Sequence, residues 1–257
     1  MSAGLPVVVS VAAALVLALA LERLFPHEPA RASWLANAGL WAAATGLRAL
    51  VFGGAEWQVA AWTERARFGL LARAPAPVLV AVPMTVLGLD LVSYLWHRAN
   101  HRLALLWRFH RVHHADPALT AVTSLRFHPG EILSSLPVRL AAIALLGAPL
   151  GAVVAFEAVF GAANALEHAN VDLPARLERA LELGLITPAL HRRHHSVSRA
   201  EHDANYGTIF SFWDRLGRSR CPGASSDRFP LGLAAGSTGA PRSLAAMLLE
   251  PFRRATR

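Results

Sequence analysis

The chain has 257 residues, of which 54% are hydrophobic and only 16% charged, and its mean hydropathy is +0.37; a soluble domain of this length carries more charge. All 25 basic residues are arginine and 17 residues are acidic, giving a formal charge of +8. Apolar runs of this length argue against nucleic acid as the partner of that charge, and arginine excess in a membrane protein marks the cytoplasmic face and contacts with anionic lipid; the single cysteine, Cys221, excludes an intramolecular disulfide and a cysteine-rich metal site.

Leu5 to Phe25 is the first apolar run and is long enough to span a bilayer. No positive charge precedes it, so a retained transmembrane helix is expected rather than a signal peptide cleaved after Ala18-Leu19-Ala20. His27-Glu28-Pro29 reads as a turn, and Trp34 to Gly53 as a second span carrying Arg48. Glu56 to Arg73 is mixed and charged, which predicts a loop or an interfacial helix. Pro75 to Trp96 is a third span with Asp90 near its end. Ile132–Leu146 and Gly147–Leu166, joined through Gly147-Ala148-Pro149, predict a helical hairpin, fully crossing or re-entrant. The chain is polar from Pro188 onward, and Pro241 to Arg257 predicts a short amphipathic tail helix. The expected organisation is an N-terminal hairpin and interfacial loop over 1–74, a catalytic unit over 75–218 and a tail over 219–257.

Histidine is the unusual residue, at 12 copies. Nine of them fall into spaced clusters: His97-x3-His101, His110-x2-His113-His114, His191-x2-His194-His195, and His168 alone. Residues three and four apart share a helix face, so each cluster can turn two or three imidazoles toward one point. Chance supplies a given H-x2-H-H about 0.03 times in a chain of this histidine content, so two copies carry weight. His27 and His202 stand outside the clusters and read as packed or snorkelling side chains. The clustered imidazoles would bury many unpaired nitrogens unless a shared metal centre satisfied them, and ionisable groups inside a membrane protein are functional by default.

Eight or nine histidines are too many for one ion and suit two. A structural zinc takes four ligands, usually including cysteine. Imidazole suits zinc, copper, iron or nickel, and affinity alone does not choose among them. The membrane setting and the absence of a nucleophile motif favour redox chemistry over hydrolysis. The clusters follow apolar helices, which puts the site just outside the hydrocarbon, within reach of a lipid chain.

The order H-x3-H, H-x2-H-H, H-x2-H-H resembles the fatty acid hydroxylase superfamily, which includes sterol desaturases, fatty acid 2-hydroxylases, alkylglycerol monooxygenase and the bacterial sterol desaturase family proteins. The resemblance runs from about Asp90 to Leu216. Its marks are Asp90-Leu-Val-Ser-Tyr-Leu-Trp-His97-Arg, Leu106-Trp-Arg-Phe-His110-Arg-Val-His-His, Arg126-Phe-His128-Pro-Gly-Glu131, His168-Ala-Asn, Thr187-Pro188, Asn205-Tyr-Gly207 and Trp213-Asp214-Arg215-Leu216. One departure is Trp213-Asp214-Arg215-Leu216-Gly217, one aromatic short of the family's Trp-Asp-Arg-Leu-Phe-Gly. Another is Asn164-x3-His168, where fatty acid 2-hydroxylases carry H-x3-H. The resemblance implies two iron ions (zinc replacing them in purified protein), O₂ as co-substrate, a lipid substrate, and electrons from a separate donor of the ferredoxin or cytochrome b5 kind. The apolar runs predict an all-α integral-membrane fold, three to five transmembrane or re-entrant helices under a helical cap that carries the histidine-rich dimetal site, and the arginines beside the clusters predict that this cap is cytoplasmic. In a bacterium the membrane would be the inner one.

Around the clusters, Asp90, Glu131 and Asp203 could each orient an imidazole through its far N–H, or serve as helix-cap or surface carboxylates. His128 is expected near the metals, as a ligand or beside one; His128-Pro-Gly-Glu131 resembles the haem-binding His-Pro-Gly-Gly of cytochrome b5 only superficially. Asn164, four residues before His168, could bond a neighbouring helix or hold a metal-bound water. Asn205 and Trp213 read as packing or capping residues. Three other functions compete. A bis-histidine haem protein predicts isolated histidines paired across spans. A metal transporter predicts histidines along a midplane path. A zinc hydrolase lacks H-E-x-x-H.

Overall fold

The computed structural model describes residues 4–30, 33–73, 76–223, 227–233 and 243–253. Among the described residues, five helices are long and apolar enough to cross a bilayer: α1 (Gly4–Leu24), α2 (Trp34–Phe52), α5 (Val78–Arg102), α7 (Pro129–Leu146) and α8 (Leu150–Glu167). A chain in lipid must satisfy its backbone internally, which these Ala-, Leu- and Val-rich runs do as helices, with Pro83 inside α5 and Pro137 inside α7. α7 and α8 have 18 residues each, about 27 Å of helix against a hydrocarbon core of about 30 Å. Both arms of the expected hairpin are therefore full-length apolar helices. Between the long helices lie α3 (Ala55–Ala66), α4 (Leu70–Arg73) and α6 (Ala104–His114). After α8 come α9 (Ala175–Leu181), α10 (Pro188–His194), α11 (Arg199–His202), α12 (Phe212–Leu216) and α13 (Leu244–Leu249). The chain is an all-α, largely membrane-spanning bundle.

The third span runs further than expected. Pro75 lies outside the described residues, but α5 continues past Trp96 to Arg102. No glycine or proline stops it there, and a cationic last turn suits a helix C-terminus. His97 and His101 therefore ride on the end of the spanning helix itself.

The helices meet at two polar ends. At the first, the α1 carboxylate Glu22 accepts the N–H groups of Ala121 (2.6 Å) and Asn170 (2.9 Å). Asn37, on the first turn of α2, donates to the Val122 carbonyl and to Asp116. Arg126 is fully buried there; its Nε donates to the Val112 carbonyl (2.8 Å) and Nη1 to Asn37. The C-termini of α5 and α8 and the N-terminus of α7 come to this same end, with α6 and α10 beside them. At the opposite end, α3 and α4 pack on the α7–α8 hairpin, where Glu64 accepts the N–H of Leu150. The segment expected as a loop or interfacial helix is thus helical and closes this far end. Between the ends, Leu89, Ile143, Val153 and Phe156 join one apolar core.

Of the expected tail helix, Pro241, Arg242 and 254–257 lie outside the described residues. Between them Ser243 caps the six-residue α13. Met247 of α13 is buried with Leu40 of α2 and Val112 of α6, and Arg111 donates to the Glu250 carbonyl. The described residues 243–253 dock on the first end.

Candidate metal centre

The nine clustered histidines come together at the first end as two adjacent groups. His97 and His101 of α5, His110 and His114 of α6 and His194 of α10 form one; His113 of α6, His168 at the end of α8, His191 of α10 and His195 just beyond it form the other. In each group the candidate ligand nitrogens lie within 4.8 Å of one another. Helix geometry explains the division. Each residue turns the helix by about 100°, so His110 and His114 share a face while His113 points to the side. α10 does the reverse, giving His191 and His195 to the second group and His194 to the first. Each H-x2-H-H thus serves both groups. Thr187 starts α10 at the required place, accepting the Leu190 N–H with Pro188 in the first turn.

The inner nitrogens are close. Nε2 of His97 is 3.0 Å from Nε2 of His110 and of His194, and His110 to His114 is 3.1 Å. In the second group, His168 Nε2 is 3.0 Å from His113 and His191, and His191 is 3.1 Å from His195. In the first group the outer nitrogens show that the contacts among His97, His110 and His194 are not ordinary hydrogen bonds, and His168 is fixed in the same way in the second. His97 Nδ1–H donates to the Tyr206 carbonyl (2.9 Å), His194 to the Ala204 carbonyl (2.6 Å), His110 to Glu131 (2.7 Å) and His168 to the Asn164 carbonyl (2.6 Å). A proton on Nδ1 of a neutral imidazole leaves only a lone pair on Nε2. Lone pairs of His97, His110 and His194 then face one another at contact distance, an arrangement that repels unless a cation sits among them. Two nitrogens about 2.1 Å from one ion and at right angles are about 3.0 Å apart, which is the spacing present. The residues therefore fit a metal in each group.

Burial also favours the neutral form, which ligation requires, at several of these imidazoles. It pushes His113, His114, His191, His194 and His195 well below the ordinary histidine value, and neighbouring imidazoles add to the shift. His168 falls to about 4, chiefly by burial, partly opposed by its bond to Asn164.

A fatty acid hydroxylase family model matches residues 82–219, just over half of the chain, and that segment contains every histidine of both groups. The chain belongs to the fatty acid hydroxylase family. Among curated relatives, it is 38% identical to ornithine lipid hydroxylase OlsE of Rhizobium tropici over 51% of this chain and 40% of the relative. It is 34% identical to alkylglycerol monooxygenase of Danio rerio over 58% and 32% of the two chains. It is 25% identical to cholesterol 25-hydroxylase of Rattus norvegicus over 56% and 48%. The match thus spans less than half the length of each of these relatives. No solved structure matches the chain.

The other candidate residues of this fatty acid hydroxylase chain divide. Glu131 holds the far nitrogen of His110. Asp203 stands 3.5 Å from His101 Nδ1. Asp90 orients no imidazole among the described residues; its carboxylate accepts the Ile209 and Phe210 N–H groups (3.2 Å each) and the Trp213 indole (2.9 Å). It ties the loop before α12 to α5, because three donors converge on a buried acid. Trp213 is thus a partner of Asp90, and Asn205, at φ 54, bridges the carbonyls of Leu190 and Cys221. His128 stands outside both groups. Its Nδ1 accepts the Gly130 N–H at the start of α7 and its Nε2 donates to the Leu248 carbonyl, so both nitrogens are occupied. The Asn164 side chain donates to the Ser124 carbonyl (3.1 Å), an inter-element bond, while its backbone carbonyl serves His168.

One residue escaped the sequence reading. Glu167 is buried with a carboxylate oxygen 3.7 Å from His191 Nδ1. It precedes His168 directly, and neighbours in sequence do not face alike on a helix, so spacing gave no signal. His202, read as a packed side chain, lies against His101, His114 and Trp107.

Proposed function

We propose that the nine histidines hold two iron ions and that the chain is an O₂-dependent lipid hydroxylase or desaturase. The convergence of ring nitrogens in two all-imidazole groups, with lone pairs facing one another in the first, carries this reading, together with the family. Zinc, above iron in the affinity series, would replace it in overexpressed protein. Bound irons would supply O₂ activation and oxidation of an unactivated C–H bond. Turning RH and O₂ into ROH and water takes two electrons and two protons, so a separate donor of the ferredoxin or cytochrome b5 kind is required. The protein's own part is to position. The Tyr206, Ala204 and Asn164 carbonyls and Glu131 fix four imidazoles in one tautomer. The surrounding apolar helices would admit a lipid tail from the side while the polar end holds the reacting carbon near the metals. Whether an alcohol or an alkene results depends on placement within an ångström or so.

A bis-histidine haem would need two imidazoles facing each other across a porphyrin, and nitrogens 3.0 Å apart leave no room for one. A transport path would string histidines along the helices, whereas these gather at one end. Among lipids, the identity to an ornithine lipid hydroxylase favours an acylated amphiphile over a sterol. Comparative lipidomics of cells with and without the gene tests this. A lipid class shifted by one oxygen or two hydrogens supports the proposal; identical lipidomes under aerobic growth with the protein expressed contradict it.

A further inference from the structure

Beside the first histidine group, His101, His202 and Asp203 form a third set whose candidate ligand atoms lie within 4.8 Å of one another. The His101 side chain is fully buried, and neither of its ring nitrogens has a hydrogen-bond partner. Its Nδ1 faces Asp203 Oδ1 at 3.5 Å, beyond a hydrogen bond. The His202 ring packs 4.9 Å from that of His101 and 4.4 Å from that of His114. The Asp203 side chain is 31% exposed, whereas His114, His194 and His195 are wholly enclosed. The other Asp203 oxygen is 3.5 Å from Nε of Arg199, which reaches outward at 76% exposure.

We propose that His101, His202 and Asp203 form a third cation site at the aqueous mouth of the centre, through which a divalent metal ion reaches the first group. The proposal rests on the two-metal reading above. Two physical arguments support it. The ligands of both inner groups are imidazoles, and the nearest carboxylates, Glu131 and Glu167, are buried behind His110 and His191, so neither group presents a charged ligand to an ion arriving from water. This third set is the one of the three whose candidate ligands include a carboxylate, and that carboxylate is 31% exposed. Second, His101 belongs to both the first and the third set. An ion captured between Asp203 and His202 is already beside an imidazole of its destination and can exchange its waters for nitrogens one at a time. With one of its three candidate ligands also claimed by the first group, the outer site holds its ion more weakly than the inner ones.

Metal-free protein in detergent, titrated with Co²⁺ while absorption and bound metal are followed, tests the site. The wild type should take up three ions per chain, with the third lost on gel filtration. Asp203→Asn, isosteric and partly exposed, and His202→Ala should take up two and fill them at least about tenfold more slowly, the scale of charge-steered capture. A wild type that stops at two ions, with both variants loading at its rate, overturns the proposal and leaves the two-metal reading standing. A wild type that stops at two while Asp203→Asn weakens one of them makes Asp203 a positioning residue for His101 and likewise overturns it. A folded wild type that binds no Co²⁺ removes the two-metal reading itself.

Discussion

His110 donates its Nδ1 proton to Glu131 at 2.7 Å, and that bond leaves Nε2 with the lone pair a metal needs. Glu131→Gln keeps the shape and removes the charge, so metal affinity should fall about 10–100-fold while the fold persists; competition with a chelator measures it. His128→Gln should leave metal content at the wild-type level, because both His128 nitrogens are taken by Gly130 and Leu248. Loss of metal in that variant would return His128 to the centre. Acid should also release the metals. His168 has its proton affinity lowered to about 4 by burial, against 6.5 in an unfolded chain. Between those values the unfolded state binds more protons, so stability rises with pH there. The contribution is fully present above about pH 6.5 and is lost as pH falls toward 4. Thermal denaturation followed from pH 7.5 to 4.5 should show that decline; a flat profile would contradict the burial of His168. The nine clustered histidines were legible in the sequence because the spacing of ligands on one helix face is local. The division of each H-x2-H-H between two groups was not, since it depends on where α6 and α10 stand relative to each other. For the same reason Asp90 and Glu131 looked alike in sequence, and only tertiary placement separates a loop anchor from the partner of a ligand.

The spanning elements were read closely from hydropathy alone, as expected where lipid forces the backbone into helices. What the pattern did not reveal is how the ends are used. α5 carries its first two histidines on its own last turn, and the charged segment after α2 folds as α3 and α4 against the hairpin. That contact depends on Gly69, at φ +93, lying against Gly147, at φ +62; a Cβ on Gly69 would come within 2.3 Å of the Gly147 nitrogen and 2.4 Å of the Ala144 carbonyl. Both obstacles are backbone and cannot swing aside. Gly69→Ala should therefore lower thermal stability by more than about 1 kcal/mol, with the remaining folded protein keeping its metal, because the contact is at the end opposite the histidines. Unchanged stability would mean that α4 does not pack on the hairpin turn. The missing aromatic after Leu216 leaves α12 closed: Arg98 donates to the Gly217 carbonyl at 3.1 Å, and Asp214 accepts from Tyr206, Gly207 and Ser219.

At the scale of the whole molecule, α1, α2 and α5 run alternately between the two ends and bring the chain to the histidine end after three crossings; α7 leaves and α8 returns. Arginines crowd that end, among them Arg98, Arg102, Arg108, Arg193 and Arg199, and on the positive-inside rule we propose that it faces the cytoplasm. Arg111, Arg126 and Arg192 belong to the same end but are buried against carbonyls and carboxylates, so part of the charge excess serves packing as well as orientation. Reporter fusions after Gly54 and after Asp116 should score on opposite sides, with the second cytoplasmic; the same side for both would refute the three crossings. The central claim is that nine histidines from α5, α6, α8 and α10 make one two-metal centre. Metal analysis of purified wild type, His113→Ala and His194→Ala tests it most directly, because those two residues are the single contributions of their motifs to the second and first groups. The prediction is two ions per wild-type chain, iron or substituting zinc, and loss of metal with loss of activity in both variants. Two ions and full activity in either variant would contradict the account.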